Sequence, residues 1–171
     1  MELSLEDDKI LKQTDFPEGS VEHDEGCFVF EIYAMVCRAL VEMGNTPKYF
    51  SKGDLSVIFR ECHKRRYIQK DHNDRSYGMY VMNPEKVADE YLSFMLYPHI
   101  RCFYTGADFM KFRNEESWGN PGGDGEIILQ VKTLNGGGHF RGLEHDPYYP
   151  SPGIARIKSA RYFRFKEVEG E

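Results

Sequence analysis

The sequence has no apolar run long enough to cross a membrane and no recognisable export signal. No window approaches the roughly 18 consecutive apolar residues that a transmembrane helix needs. The first ten residues, MELSLEDDKI, are acidic and mixed, without the basic and apolar regions of a secretory signal peptide. We therefore expect a soluble, cytoplasmic protein with no membrane partner.

The sequence also lacks a disulfide framework and a metal-binding pattern. Its four cysteines, Cys27, Cys37, Cys62 and Cys102, stand far apart and form no C-x-x-C pair. Cys62 is followed by His63, but no further ligand stands at a spacing typical of zinc sites. We predict reduced thiols, no metal and no cofactor.

An excess of positive charge is absent too. The 171 residues include 22 basic and 28 acidic side chains, for a formal net charge of -6. This balance argues against nucleic acid as the main partner. One basic run, His63 to Arg66, keeps a nucleic-acid-associated function open as a third alternative, although such a run is also typical of a solvated helix end.

The aromatic residues and the order of the predicted elements indicate an α+β domain. The chain has 12 Phe and 11 Tyr, which favour a large core with much β-structure. Helical spacing dominates the first half and strand character the second, an α+β layout. Helices are predicted at 27–43, after a Ser51 cap, and from an Asn83 cap to about 95; strands are predicted at 77–82, 100–104, 127–134, 138–146 and 154–165.

The helix predicted at 27–43 is apolar around most of its circumference, which is typical of a central, buried helix. Gly44 follows it as a stop. Residues 1–26 are acidic and interrupted by Pro17, Gly19 and Gly26, so we interpret them as an N-terminal arm. Residues 27–171 then form a single domain. Within it, the glycine-rich stretch 115–125 predicts a loop, in which Trp118 is the only tryptophan of the chain.

Cys27 is the candidate nucleophile. A thiol attacks as the thiolate, and the first turn of a helix favours that charge through its free N–H groups and its dipole. Cys27 opens the apolar helix directly after Gly26, where a substrate could approach the backbone closely. Its own N–H could also donate to a developing oxyanion. The competing interpretation is a buried cysteine that only packs within the helix.

The segment from Gly138 to Asp146 offers a base and a group to orient it. With Gly142 at the first central position of a two-residue type II′ turn, His139 pairs with Asp146. Directly opposed residues share a face, with Cβ atoms roughly 5 Å apart, so Asp146 would accept a hydrogen bond from the His139 ring. A longer loop would instead turn His145 onto that face.

Three motifs carry a family resemblance: Gly26-Cys27 at the head of an apolar helix, Gly138-His139-Phe140 after an Ile/Leu/Val strand, and Asp146-Pro147-Tyr148. Together they resemble papain-like cysteine hydrolases, above all the compact bacterial branch that includes the double-glycine bacteriocin-processing peptidases. The chain is also similar to a group of spirochaete and phage proteins with Gly-Cys-Phe near the start.

The resemblance implies a papain-like fold, in which a central N-terminal helix packs on a small antiparallel sheet from the C-terminal third. It also implies a peptidase or amidase that acts on a peptide or protein substrate through an acyl-enzyme. In that activity Cys27 is the nucleophile, His139 the general base and Asp146 the residue that orients the imidazole.

The residues before Cys27 depart from the papain pattern, which places an oxyanion-hole glutamine a few residues upstream. The nearest upstream glutamine is Gln13, fourteen residues away, which would reach the site only if the intervening residues loop out. Acidic side chains at Glu22, Asp24 and Glu25 also disfavour a thiolate nearby. These departures motivate the alternative of a catalytically inactive papain-fold module that binds a peptide or protein partner. The sequence leaves the oligomeric state open.

Overall fold

In the computed structural model, which describes residues 4–109 and 125–169, helices precede the main sheet along the chain. Two turns of 3-10 helix come first, at Asp7–Lys9 and Gln13–Asp15. The α-helices of the described residues are α1 (Val21–Glu25), α2 (Cys27–Glu42), α3 (Lys52–Lys64) and α4 (Pro84–Phe94). The strands are β1 (Ile68–Gln69), β2 (Tyr80–Val81), β3 (Ile100–Phe109), β4 (Glu126–Thr133), β5 (Gly138–Arg141) and β6 (Ile154–Glu167).

The strands form two antiparallel sheets. Strands β1 and β2 make a two-stranded sheet, and the second sheet has the order β3-β6-β4-β5. The predicted α+β class is confirmed. The larger sheet draws three strands from the last 46 residues, but it also recruits β3, which begins at Ile100.

Local capping explains where two of the helices begin. The Ser51 hydroxyl accepts from the Asp54 N–H at 3.1 Å while the Asp54 carboxylate accepts from the Ser51 N–H at 3.0 Å, forming a capping box at the start of α3. The Asn83 side chain accepts from the Lys86 N–H at 3.2 Å, with Pro84 in the first position of α4. Both predicted caps are confirmed.

Helix α2 is the centre of the hydrophobic core, as its apolar circumference predicts. Residues 28–37 are buried without interruption, followed by Ala39 and Leu40. The helix packs on β4, β5 and α4, and the Tyr91 hydroxyl of α4 donates to the Val29 carbonyl at 2.8 Å. A smaller cluster of Leu129, Val131, Ile157 and Ala160 lies on the opposite face of the larger sheet.

The segment before Cys27 is packed against this core. Ile10 is only 1% exposed and Gln13 is also buried. Helix α1, which the sequence pattern did not predict, has Ser20 as its N-cap residue. Residues 110–124 lie outside the described residues, so most of the predicted 115–125 loop, with Trp118, does as well. Among the described residues, no helix has the length and apolarity needed to cross a bilayer.

The predicted strand at 138–146 is confirmed for Gly138–Arg141 only, and the predicted type II′ turn is wrong. Strand β5 ends at Arg141, and the following turn is closed by a hydrogen bond from the Gly142 N–H to the His145 carbonyl at 2.8 Å. Gly142 does not have the positive φ that a II′ turn requires. A tertiary contact overrides the local turn preference, because Gly142 lies directly against the side chains of Glu31 and Arg38.

We expect Leu40→Ala to lower the free energy of unfolding by about 2–5 kcal/mol, because Leu40 is fully buried and its truncation leaves a cavity in the core. The matched control is Val57→Ala on the outer side of α3, where the side chain is 45% exposed. That substitution should change stability by less than about 0.5 kcal/mol. Chemical denaturation of both variants measures the difference, and equal losses would contradict the central position of α2.

Candidate active site

Cys27 begins α2 at a junction with α1 that only glycine can occupy. Gly26 is at once the C-cap of α1 and the N-cap of α2. A Cβ at Gly26 would overlap the carbonyl oxygen of Glu22 and lie 2.8 Å from the Phe30 ring. The close approach of the two helices therefore fixes the position from which the partly exposed Cys27 side chain projects.

The residues that follow Cys27 and His139 hold the two elements together. Phe28 of α2 stacks on Phe140 of β5, with ring centroids 4.1 Å apart and planes inclined by 11°. Because each phenylalanine is the immediate neighbour of a candidate catalytic residue, this contact brings the start of α2 beside β5.

His139 contacts both other members of the predicted triad. Its Nε2 donates to Asp146 Oδ1 at 2.6 Å, and the Cys27 thiol lies near enough to the ring to contribute to the raised pKa of His139. Since Nε2 is engaged by Asp146, Nδ1 is the ring nitrogen left for the thiol. The structure thus brings Cys27, His139 and Asp146 together from a helix, a strand and a loop.

Three further groups hold the Asp146 carboxylate in place. Oδ1 also accepts from the Tyr148 backbone N–H at 2.9 Å, Oδ2 accepts from the Ser151 hydroxyl at 2.8 Å, and Arg141 lies 3.7 Å from Oδ2. Burial opposes ionisation of Asp146. The hydrogen bonds from His139, Tyr148 and Ser151 outweigh it and lower the pKa of Asp146 below its ordinary value.

The same contacts favour the protonated form of His139. The ring is only 7% exposed, and burial alone would lower its pKa. The hydrogen bonds to Asp146 and Cys27, with the negative charge of both partners, outweigh burial and raise the pKa of His139 to about 9. An imidazolium beside a thiol provides the local positive charge that a thiolate needs.

The three acids before Cys27 have separate surroundings. Glu25 lines the cleft beside Cys27. Asp24 accepts from His23 Nδ1 at 2.8 Å and from the Gly19 N–H at 3.3 Å, and these bonds lower the pKa of Asp24. Glu22 lies near the Tyr77 hydroxyl, whose pKa is raised by burial and by that acid. The three carboxylates thus have different neighbours around α1 and are not clustered at the Cys27 sulfur.

Gln13, the predicted oxyanion residue, lies buried between α1 and the loop that follows Asp146. Its backbone N–H donates to the Pro147 carbonyl at 3.0 Å, and its Nε2 donates to the His23 carbonyl at 2.8 Å. Helix α1 occupies Val21–Glu25 in the stretch between Gln13 and Cys27. Gln13 Oε1 is buried without a hydrogen-bond partner among the residues described.

A cleft of about 340 Å³ opens beside Cys27. Its apolar wall includes the Phe28–Phe140 stack. The Arg161 guanidinium carbon lies 5.7 Å and 5.1 Å from the two ring centroids, and its Nη1 donates to Ser159 Oγ at 3.0 Å. The remaining lining residues are Glu25, Lys70, Met79, Tyr80, Val81 and Gln130.

The other three cysteines differ from Cys27 in burial. Burial raises the pKa of Cys37 and of Cys62 to about 12, and it raises the pKa of Cys102 as well. All four thiols are free. Cys27 is the one that is partly exposed and beside a histidine.

The basic run at 63–66 lies at the C-terminal end of α3, as predicted. Arg65 pairs with Glu61 at 2.8 Å and with Glu90 at 3.3 Å, and His63 Nε2 lies 2.9 Å from the Arg75 carbonyl oxygen. In the part of the chain that the structure describes, no three His, Cys, Asp or Glu side chains are grouped to hold a metal ion.

Sequence reasoning missed several neighbours of the triad. The Tyr148 ring lies edge-on to both His139 and His23, with centroids 6.3 Å and 5.7 Å away. Ser151, five residues after Asp146, supplies the hydroxyl that holds the carboxylate. Tyr148 stands beside the Asp146-Pro147 motif, but no spacing in the sequence signals a role for His23 or Ser151.

No family model, curated protein or solved structure matches the chain.

We expect Gly26→Ala to lower the free energy of unfolding by about 1–3 kcal/mol. The added Cβ would overlap the Glu22 carbonyl oxygen, and a backbone oxygen cannot move away as the end of a side chain can. It should also slow alkylation of Cys27 by iodoacetamide. The matched control is Gly53→Ala in the first turn of α3, where a Cβ would meet only Ser51 Oγ at 3.7 Å. That change should stabilise by about 0.5–1 kcal/mol. Thermal and chemical denaturation measure the stability of both variants. A Gly26→Ala variant as stable as the wild type would contradict the close contact between α1 and α2 at Gly26.

The raised pKa of His139 makes stability depend on pH. Protonation favours the folded state, so the stabilisation is complete below the ordinary value of 6.5 and is lost as the pH rises through about 9. We expect the free energy of unfolding to fall by on the order of 1–3 kcal/mol over that window. The measurement is chemical denaturation at stepped pH. A His139→Gln variant serves as control, and an equally steep loss in that variant would refute the assignment to His139.

Proposed function

We propose that this protein is a papain-like thiol hydrolase, a peptidase or amidase that works through an acyl-enzyme. The observation that carries the proposal is the contact of His139 with both Cys27 and Asp146. A nucleophile, a base and an orienting carboxylate in hydrogen-bond reach of one another form the arrangement that nucleophilic catalysis requires. The cleft beside Cys27 supplies a place for the substrate.

In the first half of the reaction, the ionised Cys27 Sγ attacks the carbonyl carbon of the substrate, and the electron pair of the C=O bond moves to the oxygen. His139, protonated near neutral pH because of its raised pKa, transfers its Nδ1 proton to the leaving nitrogen. The C–N bond breaks, the amine departs, and the acyl group remains on sulfur as a thioester.

In the second half, the now neutral His139 takes a proton from water as its oxygen attacks the thioester carbon. The C–S bond breaks, the carboxylic acid product leaves, and the thiolate–imidazolium pair is restored. Asp146 holds the ring through Nε2 during both transfers, so Nδ1 faces the reacting atoms each time.

Two N–H groups are candidates for stabilising the oxyanion. The backbone N–H of Cys27 lies in the first turn of α2, where helix geometry leaves it without an intrahelical partner. Gln13 Nε2 carries two N–H groups, of which the bond to the His23 carbonyl uses one. Donors of this kind act by matching the charge that develops in the transition state.

The test is alkylation and hydrolysis at Cys27. We expect iodoacetamide at pH 7 to label Cys27 at least about tenfold faster than an ordinary thiol, because a protonated His139 lies beside its sulfur. The buried Cys37, Cys62 and Cys102 serve as internal controls and should stay unlabelled in the folded protein. Mass spectrometry of the digested protein assigns each label.

The matched variants are His139→Ala, which should reduce the labelling rate of Cys27, and Cys27→Ala, which should abolish cleavage of any peptide or amide that the wild type turns over. Hydrolysis that persists in Cys27→Ala would rule out the proposed nucleophile. A wild type that labels no faster than a free thiol and cleaves nothing in a peptide library would favour the inactive peptide-binding module.

A further inference from the structure

A fully buried carboxylate lies one helical turn beyond Cys27. Glu31 of α2 is 0% exposed, and its two oxygens have different partners. Oε1 accepts from His145 Nδ1 at 2.8 Å, and Oε2 accepts from Arg38 Nη2 at 3.0 Å. His145 immediately precedes Asp146. Helix α2 therefore carries both Cys27 and the Glu31 carboxylate, which holds the residue next to Asp146.

The backbone of the same turn approaches Glu31 closely. A Cβ at Gly142 would lie 2.9 Å from Glu31 Oε2 and 3.4 Å from Arg38 Nη2. The Gly142 N–H donates to the His145 carbonyl, which closes the turn. Glu31 therefore touches this turn at both ends, through the His145 ring at one and the Gly142 backbone at the other.

Arg38, which also lies beside the turn, supplies the charge that compensates Glu31. Arg38 Nε donates to Glu126 Oε1 on β4 at 3.0 Å. Burial, together with the neighbouring Glu126, raises the pKa of Glu42 to about 7. Burial would lower the pKa of Arg38, but Glu31 and Glu126 outweigh it and raise that pKa. Arg38 thus remains charged and compensates the charge of Glu31.

The hydrogen bond to Glu31 fixes the orientation of the His145 ring. His145 Nδ1 donates to Glu31 Oε1, and Nε2 is buried without a hydrogen-bond partner among the residues described. Glu31 is thus the hydrogen-bond partner that holds this side chain in place.

We propose that Glu31 is a positioning residue for the active site: through His145 it fixes the 142–146 turn, and so the direction from which Asp146 meets His139. This inference rests on the proposed function for its catalytic meaning. Helix geometry sets Glu31 about 6 Å along the axis from Cys27. Helix α2 therefore locates the nucleophile directly and the carboxylate of the triad through one buried hydrogen bond.

The experiment follows the titration of the His139 ring by NMR in the full chain, with the signal assigned from a His139→Gln variant. In the wild type the pKa should be about 9. His145→Ala removes the link to Glu31 and should lower that pKa by about one unit or more, because a loosened Asp146 favours the imidazolium less. His145→Asn retains an N–H donor near the Nδ1 position and should restore most of the shift.

Glu31→Gln tests the other end of the same bond, and the double variant with His145→Ala should titrate like the more affected single variant. The control is Glu126→Gln, which removes a carboxylate beside Arg38 but leaves the hydrogen bond between Glu31 and His145 in place. It should leave the His139 titration unchanged. If Glu31→Gln does not fold, the comparison of His145→Ala with His145→Asn and Glu126→Gln decides.

The inference is overturned if His145→Ala titrates at His139 like the wild type, or if Glu126→Gln shifts the titration equally. Neither result depends on catalysis. Failure of the proposed function shows instead as slow alkylation of wild-type Cys27 with an intact His139 titration. The alkylation rate of Cys27 in His145→Ala adds a second readout and should fall on the order of tenfold, in line with the cost of a misplaced catalytic group.

Discussion

The stacking of Phe28 on Phe140 is the contact on which the geometry of the candidate site depends. Helix α2 is buried over ten consecutive residues, so its axis is fixed by the core, but burial alone does not determine which strand faces its first turn. The two rings settle that choice because one stands beside Cys27 and the other beside His139. A site assembled in this way takes its precision from hydrophobic packing, and the polar contacts then orient groups that are already close.

The parts of the fold that the sequence predicted are those with strong local signals. The Ser51–Asp54 capping box, the Asn83-Pro84 start of α4 and the continuous apolar surface of α2 each depend on residues within one or two helical turns. Helix α1 and strand β1 were missed because they have five and two residues. Elements that short are stabilised by their neighbours in space, which leave no periodic pattern in the chain.

The candidate site was predictable in its residue types and less so in its construction. A cysteine at a helix start and a histidine after an apolar strand identified Cys27 and His139, and Asp146 contacts His139 as expected. From Gly142 the sequence predicted a hairpin turn between His139 and Asp146. In the structure, Gly142 instead lets the backbone pass close to the Glu31 side chain. A glycine can adopt several backbone conformations, and the tertiary contacts determine which one it has in the fold. The same reason explains why the Asp146 partners Ser151 and Tyr148 were not foreseen.

The uneven burial of the four thiols also determines how the chain would respond to oxidants. Peroxide entering the cleft meets Cys27 first, since the other cysteines are enclosed in the core. A sulfenic acid formed there is normally rescued by condensation with a second thiol. No cysteine of this chain is exposed near Cys27 to provide one, so recovery by this route depends on a thiol of another molecule that can reach the cleft. Without such a reductant, further oxidation to the sulfinic acid would disable the cleft while leaving the core thiols, and with them the fold, intact.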